Sequence, residues 1–158
     1  LAKRRYQLTR QQAIRKLERY CAYQDRCHQE VQRKLNELGV WGADRDAVIC
    51  HLIEEGFLDE SRFARSFVRG KFRIKGWGRP RLVRELKARN ISEYCIRQAL
   101  TELDEAEYRT AVRAQLQKKW EQLADMPLAR RRQKLYRWAQ NRGYEHELIQ
   151  CFFEEVAP

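Results

Sequence analysis

"LKARNI" (Leu86–Ile91) ends a helix-forming run on an asparagine and follows it at once with an isoleucine. Asparagine and glycine enter the left-handed backbone region most readily, and an apolar residue directly after such a C-cap folds back onto the helix it ends. The arrangement occurs twice more, in "LNELGV" (Leu35–Val40) with Gly39 and Val40, and in "AQNRGY" (Ala139–Tyr144) with Gly143 and Tyr144. Taking the apolar residue as origin aligns the surroundings. Five positions earlier stand Leu35, Leu86 and Ala139, and nine earlier Val31, Leu82 and Leu135, a spacing of four that keeps them on one helix face. Eight positions later come Val48, Ala99 and Phe152, nine later Ile49, Leu100 and Phe153, and twelve later Leu52, Leu103 and Val156.

The segments ahead of these pairs repeat as well. "LDESRFARSFV" (Leu58–Val68) parallels "LDEAEYRTAV" (Leu103–Val112), with a weaker copy in "LTRQQAIRKL" (Leu8–Leu17). Thr9, Asp59 and Asp104 have the side chains that cap helix N-termini. Leu, Ala, Glu, Gln, Arg and Lys dominate, and long alternating β-branched runs are absent. The reading is all-α: three tandem three-helix repeats, nine helices, stacked into an elongated, gently curved array, because units so short bury little surface alone. The expected divisions are a basic N-terminal arm over 1–7, repeats over 8–56, 57–103 and 104–156, and the remaining tail to 158 grouped with the third repeat.

The 158 residues carry a formal net charge of +11 and a pI near 9.7, which points to a polyanionic partner, nucleic acid ahead of membrane. No apolar run reaches the roughly 18–20 residues of a membrane span. The five cysteines Cys21, Cys27, Cys50, Cys95 and Cys151 form no C-x-x-C pair, so a reducing cytoplasm without disulfides or structural zinc is expected. The single methionine, Met126, implies a start downstream of the natural first residue. His28, His51 and His146 are scattered, and no catalytic motif is present, so neither an enzyme nor a cofactor is expected.

Charge is concentrated in the middle repeat. Residues 61–90 hold eleven basic side chains and one acid, Glu85. At helical spacing, Arg62, Arg65, Arg69 and Arg73 form one stripe and Arg81, Arg84 and Lys87 a second. Lys71, Lys75 and Arg79 surround the turn between them, "KGWG" (Lys75–Gly78). Gly76 is expected to stop the preceding helix, Gly78 to give the connection freedom, Trp77 to pack between helices and Pro80 to open the next helix. A solvated face ordinarily mixes both signs, so this one reads as a binding surface for phosphates or an acidic groove. "RRRQKLYR" (Arg130–Arg137) could extend it into the third repeat.

"GFLDESRFARSFVRGKFRIKGWGRPRLVREL" (Gly56–Leu86) resembles the RecX family. The likeness rests on the G-F-L-D-E start, the F-A-x-x-F-V helix at Phe63–Val68 and the G-x-G-x-x-x-L-x-x-E-L turn at Gly76–Leu86. The resemblance implies tandem three-helix repeats and a regulator that binds the RecA–DNA filament, lies in its groove, and inhibits ATP hydrolysis and strand exchange in recombination and the SOS response. It implies a binding role for Arg65, Arg69, Arg73, Arg81 and Arg84 and no catalytic residue. Expected partners are the RecA filament and single-stranded DNA, with double-stranded DNA in second place, met by a monomer. The alternative is a stand-alone helical DNA-binding protein that acts without RecA. Against it, the third helices "EYCIRQALTEL" and "EHELIQCFFEEV" are acidic at their ends, which suits groove insertion poorly.

Overall fold

The structure is a computed structural model that describes residues 7–158. Nine α-helices and no strand occur among them: α1 (Arg10–Tyr23), α2 (His28–Glu37), α3 (Gly42–Glu54), α4 (Glu60–Gly70), α5 (Arg79–Ala88), α6 (Glu93–Leu100), α7 (Glu105–Gln122), α8 (Leu128–Arg142) and α9 (His146–Val156). A π turn over Lys71–Lys75 prolongs α4. Apart from Gln7, the expected basic arm lies outside the described residues. No described helix is long and apolar enough to cross a membrane.

The three C-caps share one geometry. Gly39, Asn90 and Gly143 have φ of +75°, +57° and +83°. The N–H groups of Val40, Ile91 and Tyr144 donate to the carbonyls of Leu35, Leu86 and Ala139 at 2.9, 3.1 and 3.1 Å. This is the backward bond of the Schellman motif, and it seats the following apolar side chain in the core. The first helix of each group starts on the expected cap: Thr9 accepts from Gln12 N–H, Asp59 from Arg62 N–H and Asp104 from Glu107 N–H.

Three apolar clusters follow the three helix triplets. Val31, Leu82 and Leu135 are each fully buried, as are Leu35, Leu86 and Ala139, so the aligned positions do the same work in each. The clusters are linked by side chains that cross over. Cys27, from the α1–α2 connection, lies in the second cluster, and Phe72 of the π turn packs on the third, its ring 5.6 Å from that of Tyr108. Phe57 and Leu58, at the start of the segment expected to form the second repeat, pack on the first cluster because their N–H groups fold back onto the Leu52 carbonyl.

Candidate functional site

The turn after the π segment is where the second and third triplets meet. Gly76 takes φ +65° and ends the helix, as expected, and Pro80 sits in the first turn of α5. Gly78 departs from the expectation. Its backbone is ordinary extended chain, φ −82° and ψ 167°, so conformational freedom is not why glycine is needed. A Cβ there would stand 2.2 Å from the carbonyl oxygen of Gly143, and a Cβ on Gly143 would stand 2.2 Å from Arg81 Cβ. The two backbones touch, and the C-cap of α8 is seated against the N-terminus of α5.

Hydrogen bonds surround this contact. Gly78 N–H donates to the Arg142 carbonyl at 2.8 Å, Arg81 Nη1 to the Asn141 carbonyl at 2.9 Å and Tyr144 Oη to the Gly76 carbonyl at 2.8 Å. Arg142 donates to the Lys75 carbonyl at 2.5 Å. Tyr108 is fully buried beside them; its hydroxyl donates to Glu145 Oε2 at 2.6 Å and accepts from Arg79 N–H at 3.0 Å. Burial pushes the Tyr108 hydroxyl far above the usual phenol range, and its bond to Glu145 pushes the same way. Burial also pushes the Tyr144 hydroxyl up to about 12, so both remain donors at any physiological pH. Tyr108→Phe leaves Glu145 and the Arg79 N–H without this partner. A loss of about 2 kcal/mol in urea unfolding is expected, and an unchanged midpoint would contradict the role given to the hydroxyl.

Within this frame the ten cations of the expected binding surface separate into groups. Arg62 is engaged inside the fold: its guanidinium reaches Asp25 Oδ1 at 2.8 Å and the Gly56 and Phe57 carbonyls at 3.0 and 3.2 Å. Asp25 also accepts from Ser66 Oγ at 2.6 Å, which ties the first triplet to the second. Burial works against the Asp25 carboxylate, but the bonds from Ser66 and Arg62 outweigh it and hold its pKa below the ordinary value. Arg79 lies over the Tyr108 ring at 3.9 Å and pairs with Glu105 Oε2 at 2.6 Å and Glu145 Oε1 at 3.5 Å. Arg81 covers the Trp77 ring at 4.0 Å while holding Asn141, and Lys71 stands 5.2 Å from the same ring. Trp77 packs edge-on to Phe67.

Arg65 and Arg69 share one acid, Glu102, at 4.0 and 3.1 Å. Half-exposed pairs of this kind contribute about 0–1 kcal/mol, so either arginine can exchange Glu102 for another anion. Arg73, Lys75, Arg84 and Lys87 are exposed, and among the described residues their side chains have no ion-pair or hydrogen-bond partner. Arg73 does not continue the α4 stripe as α-helical spacing predicts. The π turn shifts the phase, and Arg73 rims a groove beside Ala111 and Gln115 of α7.

The second basic run also divides. Arg131 and Arg132 bond to the Trp120 and Ala157 carbonyls and lie over Trp120 and Phe153. Arg130, Lys134 and Arg137 are exposed along one face of α8, in line with Asn141, which holds Arg81. The residues that build the joint, Tyr108, Arg142, Gly143, Tyr144 and Glu145, were not among those the sequence pointed to as a site. Gly143 and Tyr144 were visible as a cap, but nothing local shows which turn that cap meets.

The family models for RecX match here twice: the second three-helix domain at residues 59–100 and the third at residues 106–153. The regulatory protein RecX of Shigella boydii serotype 4 is 30% identical over 149 residues, covering 88% of this chain and 88% of its own. That of Pelodictyon phaeoclathratiforme is 33% identical over 123 residues, 77% of this chain and 74% of its own. The RecX of Lactobacillus johnsonii is 28% identical over 137 residues, and the chain spans about half (51%) of its length. Among solved structures, the crystal structure of RecX from Lactobacillus salivarius superposes with a TM-score of 0.78 at 18% identity, covering 93% of this chain and 96% of that one. A second RecX crystal structure gives 0.82 at 20% identity, covering 92% and 73%. The shared fold, both matched domains and relatives aligned over most of its length show that the chain belongs to the RecX family of regulatory proteins.

Proposed function

We propose that the chain regulates the RecA recombinase by binding the RecA–DNA filament and inhibiting its ATP hydrolysis and strand exchange. It acts as a binding protein in recombinational repair and the SOS response, with no chemistry of its own. The observation that carries this is the set of four unpartnered cations, Arg73, Lys75, Arg84 and Lys87, held around a joint between two RecX-type domains. Arg65, Arg69 and Lys71 border them, whereas Arg62, Arg79 and Arg81 keep the joint in shape. The mechanism is steric and electrostatic. A basic helical array lies along the filament groove, bridges neighbouring subunits and touches DNA phosphates; subunits held in place turn over ATP slowly. The protein works as a monomer in the cytoplasm.

The test is binding to RecA filaments on single-stranded DNA, compared with the same DNA naked. Tighter binding to the filament is expected, with a log–log salt slope of about −0.7 for each phosphate contacted. Equal affinity for both would overturn the proposal and favour the stand-alone DNA-binding reading.

A further inference from the structure

The π turn does more than change the phase of the basic stripe. It raises Ile74 out of the fold with 81% of its surface exposed, while its neighbour Phe72 is drawn down onto the third cluster. Ile74 stands between two grooves. One, of about 340 Å³, has Asp25, Phe63, Phe67 and Gly70 among its walls; the other, of about 350 Å³, is bounded by Phe72, Val112 and Tyr144. Lys75 borders both as well. An aliphatic knob thus rises between two partly apolar furrows, with the unpartnered cations Arg73 and Lys75 on either side.

We infer that the Arg73–Ile74–Lys75 ridge seats in an apolar socket rimmed by carboxylates on the filament protein, with Ile74 as the anchor and the cations paired to the rim. Charge complementarity selects an acidic surface. The aliphatic side chain selects protein over nucleic acid, because a base stacks on a flat ring and Ile74 has none. The nearest indole, Trp77, is already covered by Arg81 and flanked by Lys71. A π turn in an otherwise regular helix is a common mark of a functional position, and here it sets the ridge at its height.

This inference rests on the filament reading above, and the test separates the two. Ile74→Ser and Ile74→Leu are compared with the parent for binding to RecA filaments on single-stranded DNA and to the naked strand. Ile74→Ser is expected to weaken filament binding roughly tenfold to a hundredfold, the effect of losing one buried aliphatic side chain. Naked-strand binding and melting temperature should not move, and Ile74→Leu should restore most of the affinity. Filament binding by Ile74→Ser equal to that of the parent would overturn the ridge and leave the filament reading standing. Equal losses on filament and naked strand would assign Ile74 to nucleic acid and overturn a protein socket. Failure of the parent itself to prefer the filament would remove both.

Discussion

Gly78→Ala is expected to loosen the joint between the second and third domains and to cost about 3 kcal/mol of stability, at the upper end of ordinary overpacking. The added methyl would stand 2.2 Å from the Gly143 carbonyl oxygen and 2.6 Å from its carbon, and both atoms are backbone. No rotamer change relieves such a contact; one chain has to retreat. The Gly78 N–H bond to Arg142 and the Arg81 bond to Asn141 lie on either side of the collision, so retreat breaks them too. Gly143→Ala should be at least as damaging, since it adds the strain of a non-glycine residue at φ +83°. Gly70→Ala is the control. Its Cβ would meet nothing within 4 Å, and alanine favours helix over glycine by about 0.5–1 kcal/mol, so stability should hold or rise. The check is thermal and urea unfolding followed by tryptophan fluorescence and circular dichroism. Gly78→Ala melting with the parent would mean that the two backbones are not in contact.

The second large effect concerns binding rather than folding. Reversing Arg73, Lys75, Arg84 and Lys87 together to glutamate should lower filament affinity at least a hundredfold near physiological salt. Each lost phosphate contact should reduce the salt slope by about 0.7. Helical content and melting temperature should stay close to the parent, because these side chains have no partner among the described residues. Arg62→Ala and Arg79→Ala should behave in the opposite way. Arg62 bonds to Asp25 and two carbonyls, and Arg79 to two carboxylates over the Tyr108 ring, so truncation should cost about 1–3 kcal/mol of stability. Any loss of affinity in those two variants should track their loss of fold.

The contrast shows what can be read from sequence. A C-cap is a local device: Gly39, Asn90 and Gly143 each announce themselves beside an apolar neighbour, and the aligned positions around them are buried as the repeat requires. The joint is not local. Gly78 needs to be glycine because of Gly143, which meets it only after the third triplet has folded back. Likewise, ten cations look equivalent in the sequence, yet Asp25, Glu105, Glu145 and the Asn141 carbonyl, all distant along the chain, engage three of them. The π turn did leave a trace. Phe63 and Phe67 are four residues apart, but the next core aromatic, Phe72, comes five later, one more than an α-helix places on the same face. Followed through, that extra residue would have taken Arg73 off the stripe of Arg62, Arg65 and Arg69.

The most direct measurement is the rate of RecA ATP hydrolysis on single-stranded DNA as the parent chain and the four-fold charge-reversed variant are titrated in. The parent is expected to inhibit at well below one molecule per RecA subunit, and the variant, equally folded, to have no effect over the same range. Undiminished ATP turnover with the parent, or equal inhibition by the variant, would contradict regulation of the filament through these four cations.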